Sequence, residues 1–205
     1  AGYAPGYLIA GVPLNSQKSW SISKSNYFVI EADEYDTAYF DKGPKFFHYR
    51  PNILLINNIE FDHADIYENL DMIEDNFISL LEKMSAKDVA HINEHKVSAR
   101  FKALILESKK IKAKIEFFKS DALNINSENI GATKSVLHQL IPNEDIDKFL
   151  RSYKGVKRRV LFGIVPDSFT KLLILCENCN LLMCFGILRT TTMQTYGEII
   201  QKNNF

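Results

Sequence analysis

The sequence predicts an α/β fold built on a mostly parallel sheet flanked by helices, and two observations carry that prediction. Two short apolar runs, Tyr27-Phe28-Val29-Ile30 and Ile53-Leu54-Leu55-Ile56, read as strands buried on both faces. Each opens at its C-terminal tip into a polar, acidic segment: Glu31-Ala32-Asp33-Glu34-Tyr35-Asp36 after the first, Asn57-Asn58-Ile59-Glu60-Phe61-Asp62-His63-Ala64-Asp65 after the second. In open α/β sheets ligands collect at the carboxyl ends of strands. Carboxylates gathered there suit a hard cation and the phosphates that accompany it.

The elements follow in order. Residues 1–26 are rich in Gly, Pro and Ser, with one apolar segment, Tyr7-Leu8-Ile9-Ala10-Gly11-Val12. Residues 27–32 and 53–58 are predicted strands. Residues 69–84 are a predicted amphipathic helix, because Leu70, Ile73, Phe77, Leu80, Leu81 and Met84 recur at steps of three and four. Asn69 suits its N-cap, and Lys83 near its end suits the helix dipole. Strand, acidic loop and helix in this order form a βα unit of a parallel sheet. Between 86 and 127 the pattern blurs: Phe101 to Leu106 reads equally as a strand or as the start of a charged helix. Residues 130–140 and 144–153 are predicted helices separated by Pro142-Asn143. Residues 160–205 hold apolar runs without a clean period and form an irregular C-terminal tail in this reading.

The bulk numbers narrow the classes. The chain has 205 residues, 46% hydrophobic and 24% charged, which suits a globular domain and excludes wholesale disorder. Basic and acidic residues balance at 25 each, so no global field favours nucleic acid or an acidic membrane. The most apolar stretch, Leu172 to Leu188, is broken by Glu177, Asn178 and Asn180 and falls short of the ~20 apolar residues of a membrane span. Three cysteines make no disulfide framework, and a cytoplasmic location is the expectation. Cys176, Cys179 and Cys184 invite a zinc reading together with His91 and His95, if a helix put those two on one face. A closed zinc site needs four such ligands, and small buried hydrophobes are the favoured reading of the cysteines.

Longer runs carry a resemblance. Gly6 to Pro13, Val29 to Lys42, Asn57 to Asp65, and Phe149-Leu150-Arg151-Ser152-Tyr153-Lys154-Gly155-Val156-Lys157-Arg158-Arg159 are similar to the motifs of the Mur ligase family. These are ATP-dependent amide ligases of peptidoglycan metabolism. The resemblance implies residues 1–160 as a partial central ATP-binding domain and 161–205 as a divergent remnant of the hinge and C-terminal domain. It implies ATP and Mg2+ as cofactors, and UDP-N-acetylmuramate and a murein tripeptide as partners, joined through an acyl phosphate. Glu31 and His63 would hold the metal, Asn58 and Asp62 would lie with the nucleotide, and Arg159 would act near the phosphates. His63 is a softer donor than magnesium prefers, and Asp62 is open to a role as second oxygen ligand or as anchor of the imidazole. Taken alone, the acids at 31–36 also read as solvated loop residues, Asp62-His63 as a helix-cap pair, and Lys154 to Arg159 as a solvated helix end.

The family's phosphate-binding loop would precede residue 1, and no Gly-x-x-x-x-Gly-Lys-Ser/Thr pattern occurs in the chain. Leu161 stands where the family has an acidic or amide side chain. Losing one preorganised donor to a transition-state charge costs ~10² to 10³ in rate. The expectation is therefore a ligase fragment without catalysis of its own, with a non-catalytic remnant or a metal- or nucleotide-binding module as the alternative.

Overall fold

The structure, a computed structural model, describes residues 2–9, 11–32, 36–38, 41–61, 66–120, 125–157 and 180–185. Its strands are β1 (Gly6–Leu8), β2 (Val12–Pro13), β3 (Trp20–Ser21), β4 (Tyr27–Glu31), β5 (Asp36–Ala38), β6 (Asp41–Pro44), β7 (Ile53–Ile56), β8 (Val89–Asn93), β9 (Lys114–Phe118), β10 (Val156–Lys157) and β11 (Asn180–Phe185). Four α-helices accompany them: α1 (Leu70–Lys83), α2 (Ala99–Glu107), α3 (Ile125–Leu140) and α4 (Ile146–Ser152).

Seven strands form one sheet in the order β3-β1-β4-β11-β7-β8-β9. All neighbours are parallel except β1 and β3. The consecutive crossovers β7-α1-β8 and β8-α2-β9 both advance in one direction across the sheet. Right-handed connection therefore puts α1 and α2 on one face. Leu54, Ile56, Ala90 and Ile92 alternate onto that face, and all four are buried in the same core as Phe77, Leu80, Leu81, Phe101 and Ile105. Phe77 of α1 stacks on Phe46, with ring centroids 5.3 Å apart.

The stripe predicted for α1 is the buried one: Ile73, Phe77, Leu80, Leu81 and Met84 are buried, and Leu70 packs against the same core. Asn69 caps the helix, its side chain accepting from the backbone N–H of Met72 at 3.0 Å. The predicted strand over 27–32 is observed at 27–31, and the one over 53–58 ends at Ile56, where the backbone turns polar.

The blurred region holds three regular elements. Ser98 caps α2 by accepting from Phe101 N–H at 3.0 Å, which decides the ambiguous Phe101–Leu106 segment as helix. Strand β8 was hidden by His91 in the middle of its apolar run, and β9 by its lysines. Residues 180–185, for which the sequence offers no assignment, form β11 between β4 and β7. The zinc reading that needed His91 and His95 on one helix face is corrected here: residues 89–93 are a strand, and His95 lies in the turn beyond it. Cys176 and Cys179 lie outside the described residues.

Candidate functional site

The parallel strands deliver their carboxyl ends to a single edge of the sheet. Register aligns Glu31 with Cys184, Cys184 with Leu55, Leu55 with His91, and His91 with Glu116. Paired residues of parallel strands share a face, so Glu31 belongs to the face that carries His91. Two interstrand steps of ~4.8 Å separate the Glu31 and Leu55 backbones, about 10 Å in all. Glu31 itself is half-buried.

Two residues further out the edge turns to amides. Asn57 Nδ2 donates to Asn129 Oδ1 on α3 at 2.9 Å. Asn93 Nδ2 donates to Ser120 Oγ at 3.0 Å and to Asn57 Oδ1 at 3.4 Å. Asn93 Oδ1 accepts from the backbone N–H of His95 at 3.3 Å. Asn93 is fully buried and Ser120 nearly so, which demands this pairing, since an unpaired buried amide is costly. The network fastens the chain after β7, the chain after β9 and the first half of α3 to the tip of β8. Gly131 allows the close approach: a Cβ there would stand 3.0 Å from Ser120 Cβ and 3.2 Å from Ser120 Cα. Asn58, half-buried, follows Asn57 directly. Ile59 N–H donates to Lys96 O at 3.0 Å and ties this loop to the turn after β8.

Two residues inward, on the α3 face, His91 is buried, with Nε2 at 2.6 Å from Gln139 Oε1 of α3 and Nδ1 at 3.6 Å from Glu116. Burial pushes the imidazole below its usual range, outweighing the opposite pull of Gln139 and Glu116. Glu116 is held low in turn, first by its bond to Lys114 and then by His91. Behind the site Arg100 of α2 clasps α1 through Glu74 at 2.9 Å and Asp75 at 2.7 Å, and these carboxylates hold the guanidinium firmly protonated.

Near the same edge the chain after α4 is tied to the segment after β1. Strand β10 pairs antiparallel with β2. Leu14 N–H donates to Gly155 O at 2.8 Å, Asn15 Nδ2 to Ser152 O at 2.9 Å, and Lys154 N–H to Asn15 Oδ1 at 2.8 Å. These bonds hold the start of the basic run beside the segment that leaves β1.

Of the residues expected to carry the chemistry, Glu31 and Asn58 both stand on the carboxyl edge. Asp62, His63 and Arg159 lie outside the described residues. Among the described residues no group of three or more His, Cys, Asp or Glu side chains could hold a metal ion. The sequence reading missed Asn93, Ser120 and Asn129; an amide closing the run Val89-Ala90-His91-Ile92 was the available signal.

The pattern of the family model for the Mur ligase middle domain matches residues 11–151. The chain belongs to the Mur ligase family. Among curated Mur ligases, UDP-N-acetylmuramate--L-alanyl-gamma-D-glutamyl-meso-2,6-diaminoheptandioate ligase of Escherichia coli is 54% identical over 80 residues, covering 39% of this chain and 18% of that protein. The enzyme of the same name from Haemophilus influenzae is 43% identical over 99 residues, 48% of this chain and 22% of that one. The chain thus spans about a fifth of the length of these relatives. The crystal structure of the corresponding ligase from Neisseria meningitidis superposes with a TM-score of 0.65 at 30% identity, covering 77% of this chain and 60% of that one. A murein peptide ligase from Psychrobacter arcticus, at 21% identity, shares the fold with a TM-score of 0.63 over 97% of this chain and 49% of its own. Mur ligases form amide bonds, and this Mur domain has their mixed α/β sheet flanked by helices. Among its described residues no helix is long and apolar enough to cross a membrane.

Proposed function

We propose that this chain is the nucleotide-handling part of an ATP-dependent ligase that joins a murein tripeptide to UDP-N-acetylmuramate through an acyl phosphate. The observation that carries the reading is the carboxyl edge itself. In a chain of this family, one sheet edge presents Glu31, Asn58 and a braced amide network where a parallel sheet takes its ligand. Residues 1–160 form the partial central domain in this reading, and 161–205 derive from the hinge and C-terminal domain, with β11 returned to the central sheet.

Magnesium suits the donors available. Glu31 is a hard oxygen ligand, and His63 and Asp62 would complete the protein's share of the coordination. Bound there, the metal supplies charge neutralisation for the γ-phosphate and the acceptor carboxylate. Asn58 positions the nucleotide beside it, and Arg159 acts on the moving phosphoryl group from the chain that follows β10. The reaction belongs to the cytoplasm, where nucleotide-linked muramate is available.

The chain alone performs no measurable ligation in this reading, because no Gly-Lys-Thr cradle is present to stabilise the phosphoryl transition state. Binding is the test. Mg2+ with ATP is expected to raise the melting temperature of the purified chain, as a ligand of the folded state must. Glu31→Gln should abolish the metal-dependent part of that shift. A chain whose melting is indifferent to ATP and Mg2+ refutes the proposal in favour of a non-binding remnant. ATP-dependent amide formation by the chain alone refutes the inactivity.

A further inference from the structure

The 25 basic and 25 acidic residues cancel in number, but the sheet separates part of them in space. The chain enters the parallel strands β4, β7, β8 and β9 at the edge opposite the candidate site, through residues 24–26, 50–52, 85–88 and 108–113. Hydrogen bonds hold three of these entries in line: Val89 N–H donates to Asn52 O and Lys114 N–H to Asp88 O, both at 2.9 Å. Lys24, Arg50, Lys87, Lys109, Lys110 and Lys112 stand in the four segments, Lys114 opens β9, and all of them are exposed. Asp88 is the single acid among these residues. It is buried and turned inward, accepting from Asn52 Nδ2 at 3.1 Å and from the Ser85 N–H at 2.6 Å. Glu82 and Glu116 draw Lys110 and Lys114 into ion pairs at the flank. Lys24, Lys87, Lys109 and Lys112 enter no ion pair among the described residues.

The two most exposed large hydrophobic side chains of the described residues flank the same edge: Ile22 is 82% exposed and Leu106 83%. Ile22 follows β3, which runs antiparallel to β1 and so leaves toward the amino ends of the parallel strands. Leu106 lies in the last turn of α2, just before residues 108–113. Four interstrand steps separate β4 from β9, which spreads the cations along a row of about 19 Å. Lysines in a row would suit any polyanion, but exposed aliphatic tips gain nothing against a phosphodiester backbone. Both features fit the boundary of an anionic bilayer, where headgroups meet the ammonium groups and the acyl region takes the apolar tips.

We propose that the amino edge of the sheet is a docking surface for anionic phospholipid, with Lys24, Lys87, Lys109 and Lys112 as its electrostatic contacts and Ile22 and Leu106 entering at headgroup level. The strands then point away from the bilayer. The carboxyl edge, one strand length or about 15 Å further out, stays open to soluble ligands. The proposal is independent of the nucleotide reading.

The test is sedimentation of the full chain with phosphatidylcholine vesicles made with and without phosphatidylglycerol. Binding is expected only with phosphatidylglycerol, and should weaken as added salt screens the lysines. A lysine near an anionic surface strengthens binding about fivefold, so Lys109→Gln with Lys112→Gln should weaken it about twentyfold. Lys96→Gln with Lys119→Gln removes the same charge from the opposite edge and should bind as the wild type does. Ile22→Ser with Leu106→Ser should also weaken binding, and both sites are exposed, so melting curves should match the wild type. Absence of sedimentation with phosphatidylglycerol overturns the proposal, as does equal sedimentation with phosphatidylcholine alone. An equal loss in the two lysine pairs overturns it too, because the response would then follow net charge and not this edge. Binding of a single-stranded oligonucleotide in place of vesicles overturns it in favour of nucleic acid.

Discussion

Replacing Asn93 by Ala tests whether the amide network braces the site. The side chain is fully buried and makes three hydrogen bonds, to Ser120 Oγ, Asn57 Oδ1 and the backbone N–H of His95. A neutral hydrogen bond contributes about 1 kcal/mol net, and the two longer ones somewhat less. Truncation also leaves the Ser120 hydroxyl and the His95 N–H short of a partner, so the expected loss is about 2–3 kcal/mol. For a chain of this size that is a fall in Tm of roughly 5–10 °C. Asn93→Asp keeps the shape but sets a carboxylate oxygen against Asn57 Oδ1. Its deficit at neutral pH should exceed that of the alanine variant and shrink as acid neutralises the buried carboxyl. Urea denaturation at constant m-value, with calorimetry, measures both. A fall in Tm below about 2 °C for Asn93→Ala would mean that the network bears no load. The claim that it positions Asn57 and α3 would then be wrong.

Two further outcomes are expected. Burial holds His91 below the ordinary imidazole value of about 6.5, so the unfolded chain takes up a proton at a pH where the folded chain does not. Stability is then full above about pH 6.5, falls as pH drops from there toward the lowered folded value, and levels off below it. The carboxylates with depressed values, Asp41, Glu116 and Asp147, lose their contribution only in more acid solution. His91→Phe should flatten the upper part of the stability-pH curve, and an unchanged slope there would exclude His91 as its source. Leu182→Pro removes an N–H from a strand paired on both sides, a position proline does not occupy in natural sheets. The buried carbonyl that loses its donor costs about 1–3 kcal/mol before any bending of β11. Circular dichroism melting should show a clear drop in Tm, and a wild-type curve would argue against β11 as a central strand.

Local chemistry made much of this domain legible in the sequence. The runs 27–30 and 53–56 are strands because buried parallel strands need apolar residues on both faces. The helix over 70–83 follows from one stripe and one cap, and the acid and amides after each strand mark the carboxyl edge. These are properties of neighbouring residues, and spacing records them. Strands β8 and β9 were not legible because His91, Lys114 and Glu116 break the apolar pattern. Buried His91 is accommodated by a partner that tertiary packing supplies, Gln139 of α3, whereas Lys114 and Glu116 pair with each other along the exposed side of β9.

What only the tertiary structure decided is which strands stand side by side. Asn57, Asn93, Ser120 and Asn129 are spread over 73 residues of sequence and become one network because parallel register aligns Asn57 with Asn93 and sets α3 over both. The place of β11 is the clearest instance. The apolar run Leu181 to Phe185 is compatible with a buried strand but does not say where in the sheet it stands, since strand pairing is made by backbone groups that every sequence shares. The choice of neighbour comes from the open ladders of β4 and β7, each lacking a partner until the chain returns between them.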